Sequence, residues 1–598
     1  MRLVIASVVI AITMYACATP SSTEVRSGLD ITTSSGRVAG YEMANGTQAW
    51  FDIPYATPPV GQLRWKAPRP AQATEALIEK SASPIACTQL NSSANKGLSG
   101  EGVVGSEDCL YLDIRAPLKT QPTSALPVMV WIHGGGNTTG YKGAYDFSTM
   151  AREKNVIVVT LNYRLGPLGW ITHPGIQGDA SALDQSSNFG TLDIIEALKW
   201  VQTNIASFGG NPSMVTVFGE SAGGHNVYAL LASPLTDGLF HRAIVQSGYV
   251  SSISTTNAFN NGNQNPYVAR SSTALAMTLN LIDDASQSES ITREQWLALP
   301  ASKLMAAWEN IPDTGEEALT TADGIVIPSN GLLASLGDPT LAKHVPVISG
   351  ANRDEVSLWL ANNRYFIDAS YPFTRLGPPR LQVRDPGKYQ RWVRIRSHAW
   401  KLRGVDDALT ALARAGYESL YAYRFSWDEQ ERSWFADFPM LLGAAHGIDI
   451  SFVTADWYYG PVTNFVYPDV DSRDRLAQTM IDAWATFAAK GHPPSDLQWQ
   501  PWDPAAKGYI ELDGSVAPAM QAETSSLPDL LDSISGAPEF SSLERCTVLW
   551  ESLVNIGEPD YAAYARWQDG RCKNTDVPNA KLDIRRELES EHGSAEVL

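Results

Sequence analysis

A serine between small residues is the strongest chemical signal in this sequence. Residues 219–223 read Gly-Glu-Ser-Ala-Gly, after an apolar run that starts at Val215 and before a helical pattern over 225–232. A serine on such a strand-turn-helix elbow has a strained backbone, so the residues two before and two after it must be small. We therefore predict that Ser221 is a nucleophile and that the Ala222 amide, at the helix start, faces any oxyanion formed there.

A serine hydroxyl needs a histidine as base and a carboxylate that orients the histidine. On an elbow of this kind the chain order is serine, acid, histidine. The polar residues Asn352–Glu355 follow a predicted strand, and the histidines beyond them are His398, His446, His492 and His592. His446 has apolar flanks that would shield it from water, although elimination alone leaves a structural role open.

The elements that would position these residues alternate between strand and helix patterns. A helical pattern covers 191–208, and apolar runs of strand length cover 127–132, 155–162, 215–220, 241–248, 345–350 and 419–425. Such alternation predicts an α/β fold with a mostly parallel sheet, whose strand ends deliver polar residues to one edge. The sequence His-Gly-Gly-Gly over 133–136 follows the first strand, so its backbone amides would be free to approach a ligand.

Composition narrows the class of protein. Of the 598 residues 44% are hydrophobic and 18 are Trp, which excludes a disordered or fibrous chain. The net charge of −19 argues against nucleic acid and anionic membrane surfaces as partners. Phosphate loops, zinc-spaced cysteines and His-Glu-x-x-His are absent from the sequence, so we expect no cofactor and no metal. Residues 252–340 are polar and irregularly helical, and we interpret them as an insertion over the sheet.

The N-terminus predicts export. Residues 1–18 combine Arg2, an apolar run and small residues, as in a signal peptide too short to span a bilayer. The stretch ending at Cys17 fits a lipoprotein cleavage box and equally fits ordinary cleavage, so we expect a secreted or periplasmic protein, attached to membrane only through a possible lipid on Cys17. A polar linker, 19–36, follows. Four cysteines remain, an even set for which we expect two local disulfides.

Several motifs together resemble one family, the type-B carboxylesterases of the cholinesterase-like α/β hydrolases. The resemblance covers nearly the whole mature chain. Its motifs occur in order and at family spacing: Ile-Pro-Tyr-Ala (53–56), Ser-Glu-Asp-Cys-Leu (106–110), His-Gly-Gly-Gly (133–136), Asn-Tyr-Arg-Leu-Gly (162–166), Phe-Gly-Gly-Asn-Pro (208–212), Gly-Glu-Ser-Ala-Gly-Gly (219–224), Asn-Arg-Asp-Glu (352–355) and His-Gly (446–447).

The resemblance implies roles for particular residues. Ser221, Glu355 and His446 would form the catalytic triad, with Glu355 preferred to Asp354. The oxyanion hole would consist of the amides of Gly135, Gly136 and Ala222. Cys87 and Cys109 would form the family's loop disulfide, and Cys546 would pair with Cys572, the only partner left. The family also implies a single α/β-hydrolase domain, here 37–572, followed by a charged tail, 573–598.

Departures from the family pattern leave some points open. Val356 stands where the family often has glycine, and Asn226 replaces a serine after the elbow, which puts the positioning of the acid in question. Glu220 would either tune the charge of the pocket or only fill the elbow. As an alternative to an oxyanion hole, His133 and the glycines that follow it would have only a packing role.

The predicted reaction is hydrolysis of an ester in two acyl-transfer steps. An amidase or lactonase with the same triad is the alternative, and a non-catalytic binding or adhesion protein on the same scaffold is the rival from another class. The loop Thr88–Asp108 contains no aromatic residue to bind a quaternary ammonium, so we expect an uncharged small-molecule ester. We expect its pocket walls to come from 252–340 and from Tyr423–Trp434.

Overall fold

The computed structural model describes residues 24–26, 28–92, 95–178, 181–260, 270–311, 320–371, 378–514 and 516–597 of the chain. The predicted signal peptide, with Cys17, lies outside the described residues.

A 12-stranded sheet forms the centre of the molecule. Its strands, numbered in chain order, are β1 (Glu24–Arg26), β2 (Tyr41–Met43), β3 (Thr47–Pro54), β4 (Tyr111–Pro117), β5 (Leu126–Ile132), β6 (Ile157–Leu161), β7 (Gly210–Glu220), β8 (Arg242–Gln246), β9 (Val347–Asn352), β10 (Leu420–Phe425), β11 (Tyr509–Leu512) and β12 (Ala519–Gln521). The spatial order is β1-β2-β3-β4-β6-β5-β7-β8-β9-β10-β11-β12. Every neighbouring pair from β6 to β11 is parallel, whereas the pairs outside this block are antiparallel.

The register of the parallel strands places their ends at one edge. Ile132 lies beside Gly219, and Glu220 lies beside Gln246. Gln246 in turn lies beside Gly350. The loops that follow β5, β7 and β9 therefore emerge next to one another, as they do at the carboxyl edge of doubly wound sheets.

Helices cover both faces of the parallel block, so most residues of its strands are buried. The α-helices of at least seven residues are α1 (Ser148–Lys154), α2 (Phe189–Asn204), α3 (Ala222–Ala232), α4 (Ser272–Thr278), α5 (Ala301–Glu309), α6 (Pro386–Trp400), α7 (Asp407–Arg414), α8 (Ile448–Thr454), α9 (Asp471–Lys490), α10 (Leu527–Ser535), α11 (Ser542–Val554), α12 (Tyr561–Gly570) and α13 (Val577–His592). Shorter ones are Gly166–Gly169, Pro174–Gln177, Thr255–Phe259, Arg293–Leu297, Leu332–Leu336, Ser357–Leu360, Phe438–Leu441 and Thr463–Val466.

Small sheets and one π-helix complete the described chain. The π-helix, Lys401–Asp406, joins α6 to α7 and contains an ion pair between its first and last residues, with Lys401 Nζ 3.0 Å from Asp406 Oδ2. The strands of the small sheets are Ile31–Thr33, Gly36–Val38, Thr74–Ile78, Gln89–Leu90, Val103–Val104, Ile253–Ser254, Thr321–Ala322, Ile367–Ser370 and Arg380–Val383.

One cluster of buried apolar side chains extends from Val38 to Val597. The stretch predicted as linker contains β1 and the strand Ile31–Thr33, because each pairs with a neighbouring strand of a sheet. The stretch predicted as a charged tail contains α13, whose first residue, Val577, is buried. The domain boundaries at 36/37 and 572/573 stay predictions.

Two disulfides are present, Cys87–Cys109 and Cys546–Cys572, as the sequence predicts. Each joins residues close in the chain, so each closes a local loop. Cys87–Cys109 fixes the loop before β4, and Cys546–Cys572 ties α11 to the turn after α12. None of the described helices is long and apolar enough to cross a membrane.

Candidate active site

Ser221 occupies the strained turn between β7 and α3. Its backbone has φ 59° and ψ −124°, a conformation that a serine adopts only where the surroundings enforce it. A Cβ added to Gly219 or Gly223 would lie 2.6 or 2.0 Å from the carbonyl oxygen of Ile132, so glycine is required at both positions. The Ser221 amide donates to the Gln246 carbonyl at 2.9 Å, which fixes the turn against β8. The side chain is half-buried and accessible.

The loop after β5 lies directly against the serine. A Cβ at Gly134 would be 3.1 Å from the Ser221 Cβ. Gly135 and Gly136 have φ of 97° and 61°, which favour glycine and turn the loop back toward the elbow. Among the described residues, no acceptor is present for the amides of Gly135, Gly136 or Ala222. Three backbone donors without partners beside a serine are the arrangement that an oxyanion would satisfy.

Buried side chains hold this loop in place. His133 stacks on Tyr163 with ring centroids 4.4 Å apart, and the Tyr163 hydroxyl donates to the His133 carbonyl at 2.6 Å. Burial lowers the pKa of His133 to about 4, so its imidazole is neutral and does not add charge to the site. At the far end of the loop, Asn226 Nδ2 donates to Asn137 Oδ1 at 2.8 Å. Asn226, the departure from the family serine, therefore supports the loop rather than the acid.

His446 is oriented by Glu355. Its Nδ1 lies 2.5 Å from Glu355 Oε2, and both side chains are buried. The other Glu355 oxygen accepts the Asn352 amide at 2.7 Å, which fixes the carboxylate although Val356 replaces the family glycine. Asp354 is not available to the histidine, because its carboxylate pairs with Arg353 at 2.7 Å. Of the two adjacent carboxylates, Glu355 is thus the one that contacts a histidine.

Glu220 faces the other nitrogen of His446. Its Oε1 lies 3.2 Å from His446 Nε2, and both groups are buried. Burial raises the pKa of Glu220 to about 8. Burial lowers the pKa of His446, but Glu220 and Glu355 outweigh it and raise the pKa to about 9. Glu220 therefore adjoins the imidazole and adds to the negative charge around it.

A third buried carboxylate, which sequence reasoning missed, lies beneath this pair. Asp449 accepts hydrogen bonds from Gln246 Nε2 at 2.7 Å and from Asn352 Nδ2 at 3.1 Å. Burial raises its pKa. Asp449 and Asn352 link the helix after His446 to the loop of Glu355, so Glu355 and His446 are held as one unit. The only sequence signal was an acid between two isoleucines, Ile448 and Ile450.

Two tryptophans contact the ring of His446. The ring centroids of Trp359 and Trp400 are 4.9 and 5.0 Å from that of His446, and the two indoles stack on each other at 5.8 Å. We call this pair the tryptophan wall. Neither tryptophan lies in the regions that the sequence predicted to form the pocket walls. The two residues are distant in sequence, so no local pattern in the sequence indicated their contact. Tyr423, in one of those regions, is fully buried beneath the sheet edge.

The remaining candidate histidines lie elsewhere. His398 contacts Glu523 at 3.2 Å, His492 Nδ1 lies near its own chain at Pro493, and His592 is on the exposed face of α13. In the described part of the chain no group of three or more His, Cys, Asp or Glu side chains is placed to hold a metal ion.

Comparison with known proteins gives a consistent result. The model of the carboxylesterase family matches residues 27–371 and 394–526. A para-nitrobenzyl esterase from Bacillus subtilis (strain 168) is 32% identical over 512 residues, which cover 81% of this chain and 95% of that protein. A cocaine esterase from Homo sapiens is 31% identical over 523 residues, 81% of this chain and 87% of that protein.

Solved structures show the same similarity. A carboxylesterase from Geobacillus stearothermophilus matches with a TM-score of 0.64 and 27% identity, over 83% of this chain and 98% of that chain. A PNB esterase matches with a TM-score of 0.62 and 28% identity, over 83% and 97%. The fold predicted from the sequence, an α/β-hydrolase fold, is confirmed, and so is the predicted family. The chain belongs to the carboxylesterase family and is a carboxylic-ester hydrolase.

Proposed function

We propose that Ser221, His446 and Glu355 hydrolyse an uncharged carboxylic ester through an acyl-enzyme. The observation that carries this proposal is the 2.5 Å contact between His446 and Glu355, together with the 3.2 Å approach of His446 to Glu220, the residue that precedes Ser221 on its strained elbow. The contact fixes the tautomer of the imidazole, with the proton on Nδ1 and the lone pair on Nε2. Only Nε2 is then available as a base.

In the first step, Ser221 Oγ bonds to the ester carbonyl carbon while its proton passes to His446 Nε2. The carbonyl electron pair moves to the oxygen, whose negative charge faces the amides of Gly135, Gly136 and Ala222. The oxyanion then collapses and the bond to the alcohol oxygen breaks. The leaving oxygen takes the proton from Nε2, which leaves an acyl group on Ser221.

In the second step, water replaces the alcohol. His446 Nε2 accepts a proton from water as its oxygen attacks the acyl carbon, and the same amides stabilise the second oxyanion. Collapse breaks the bond to Ser221 Oγ, which recovers its proton from Nε2. The imidazolium formed in each step lies between Glu355 and Glu220, so two carboxylates stabilise the charge that develops there.

We infer the charge of the substrate from the composition of one loop. The loop between Cys87 and Cys109 has no aromatic side chain, so a quaternary ammonium would lose a cation–π contact worth up to about 2 kcal/mol. The named substrates of relatives, such as a para-nitrobenzyl ester, support ester hydrolysis in general.

An experiment on matched esters tests the charge preference. We expect 3,3-dimethylbutyl acetate to have a kcat/KM at least equal to that of acetylcholine, which has the same shape and a fixed charge. A clearly higher kcat/KM for acetylcholine at physiological salt would contradict the proposal. Parallel assays on the matched amide and a lactone should give lower values than the ester.

Labelling tests the nucleophile. We expect an organophosphate to modify one serine, Ser221, with loss of activity, and peptide mapping identifies the site. Ser221→Ala should take up no label, whereas Ser233→Ala, a change of a buried helix-capping serine, should be labelled like the parent. Full labelling of Ser221→Ala would refute the assignment.

We also propose that the protein is exported and that 37–572 form its catalytic domain. Two disulfides support an oxidising compartment. Intact-mass analysis of the mature N-terminus distinguishes a lipid on Cys17 from simple cleavage, and a start at Met1 in the native host would contradict export.

A further inference from the structure

The region beyond the family match folds back toward the active site. The match ends at residue 526, and α10 to α13 lie after it. We call residues 527–598 the C-terminal extension. Its helices are tied together by the Cys546–Cys572 disulfide and by Lys581, whose Nζ lies 2.7 Å from Glu551 Oε1. The extension is therefore a cross-linked unit rather than a loose tail.

The first contact of the extension is with α6, the helix that ends at Trp400. Arg391 pairs with Glu539 at 2.8 Å, and Lys388 pairs with Glu544 at 2.7 Å. Deeper in the interface, the buried Arg396 pairs with Glu551. Separating the partners of a buried ion pair leaves a buried charge unpaired, which strongly destabilises the fold. This contact therefore fixes α6 against the extension.

Apolar packing adds to these ion pairs. The rings of Trp392 and Phe540 lie 5.6 Å apart, edge to face. Residues 372–393, which include the start of α6, are also outside the family match. Two parts of the chain that lie outside the family match thus pack on each other. Helix α6, which begins in one of these parts and is contacted by the other, ends at Trp400, one half of the tryptophan wall.

The second contact is with the segment that follows the catalytic acid. Val597 N donates to Asn362 O at 2.8 Å, and Arg364 N donates to Ala595 O at 3.0 Å. The Val597 side chain is buried, and Tyr365 donates to Glu544 of α11 at 2.7 Å. Asn362 is two residues after the short helix Ser357–Leu360, which contains Trp359, so the extension also holds the other half of the tryptophan wall.

The tryptophan wall has one open side. Trp400 is 4% exposed, whereas Trp359 is 42% exposed, although it stacks on Trp400 and contacts the base. A large aromatic side chain exposed beside a reactive group offers its face to whatever binds there. Since Nε2 of His446 exchanges protons with both the attacking and leaving oxygens, a bound ester must lie within reach of this surface.

We propose that the C-terminal extension positions the tryptophan wall and that the wall makes the site selective for esters carrying a flat aromatic ring, in the acyl or the alcohol part. The inference rests on the proposed function, which supplies the ester. A flat ring stacks on the Trp359 indole, whereas a saturated ring of the same size gains only burial. Stacking beyond burial corresponds to about a 3- to 10-fold preference.

Matched esters test the preference. The acyl pair is methyl phenylacetate with methyl cyclohexylacetate, and the alcohol pair is benzyl acetate with cyclohexylmethyl acetate. In each pair one carbon separates the ring from the ester, and dividing each kcat/KM by the rate constant of alkaline hydrolysis corrects for the intrinsic difference in reactivity between the two esters. We expect the aromatic member of one pair to have a kcat/KM about 3- to 10-fold higher. Trp359→Leu should bring that ratio close to one.

A change remote from the chemistry tests the extension. Val597→Asp places a charge in the buried contact and should release the segment from Asn362, so the ratio should fall by at least half. Ser590→Asp adds the same charge on the exposed face of α13 and should leave the ratio unchanged. Thermal unfolding of both variants shows that each is folded.

The outcomes separate the two proposals. If the parent protein hydrolyses no ester, methyl acetate included, the proposed function fails. If it hydrolyses methyl acetate but shows no ring preference in either pair, or if Trp359→Leu keeps the preference, the selectivity of the wall is refuted. An equal ratio in Val597→Asp and Ser590→Asp would refute the role of the extension.

Discussion

Lys142 and His446 are both buried between two carboxylates, and of the two only His446 lies at the candidate active site. Lys142 lies 2.6 Å from both Asp52 and Asp113. His446 lies 2.5 Å from Glu355 and 3.2 Å from Glu220. Both clusters are buried and both place a basic side chain between two carboxylates, yet they differ in their chemistry.

The difference lies in hydrogen bonding and in the pKa of the cation. Burial lowers the pKa of Lys142, but Asp113 and Asp52 outweigh it and raise the pKa further above neutral, so the ammonium is permanent. Its contacts to both carboxylates are hydrogen bonds. In the described structure, His446 Nε2 has no hydrogen-bond partner, and burial raises the pKa of Glu220, the carboxylate that faces it, to about 8. The lysine cluster stabilises the fold, whereas the histidine cluster is able to exchange a proton.

The largest expected effect removes the base. His446→Ala should lower kcat on p-nitrophenyl acetate by about six orders of magnitude, because the triad acts as a unit. Thermal unfolding should show that the variant is still folded. His592→Ala, on the exposed face of α13, is the control and should keep full activity. The measurement is the initial rate. Substantial turnover by His446→Ala would show that another group is the base and that the His446 cluster does not differ from the Lys142 cluster in this way.

The second effect concerns stability. Lys142→Met leaves Asp52 and Asp113 buried without their cation, so the free energy of unfolding should fall by about 3–5 kcal/mol. Lys303→Met makes the same change at an exposed position of α5 and should have little effect. Denaturant unfolding of both variants gives the values. An equal stability of the two would mean that the lysine cluster is not structural.

The smallest effect is a shift in the pH profile. An unperturbed histidine would make activity rise between about pH 6 and 7. Burial lowers the pKa of His446, but Glu220 and Glu355 outweigh burial and raise it to about 9, so the parent profile should rise at higher pH. Glu220→Gln removes one of these carboxyl groups, which disfavours the imidazolium, so the rise should move to lower pH by about one unit. The measurement is kcat/KM against pH.

A matched variant completes that test. Asp354→Asn also removes a carboxylate next to the triad acid, but one paired with Arg353 rather than the histidine. Its profile should stay with that of the parent. If Glu220→Gln leaves the profile unmoved, or both variants move it equally, Glu220 is not the group that sets the charge of the base.

The sequence predicted local features well and long-range ones poorly. The elbow at Ser221 is encoded by five consecutive residues, and strand ends such as Ile132 are encoded by continuous apolar runs. The acid and base needed the family resemblance, since a glutamate after a strand and a histidine in an apolar segment are common. Trp359 and Trp400 were missed, because their contact depends on how distant segments pack and no spacing in the chain records it.

The π-helix Lys401–Asp406 lets this part of the chain differ in length without changing which residue faces the histidine. Each residue of an α-helix turns the chain by about 100°, and a π-turn fits more residues than an α-turn into one full turn. Deleting one residue here would therefore restore an α-helix and leave Trp400 on the same side of the helix relative to α7. A relative one residue shorter would then present the equivalent side chain to its histidine. Alignments that pass this step without a gap would compare the wrong residues.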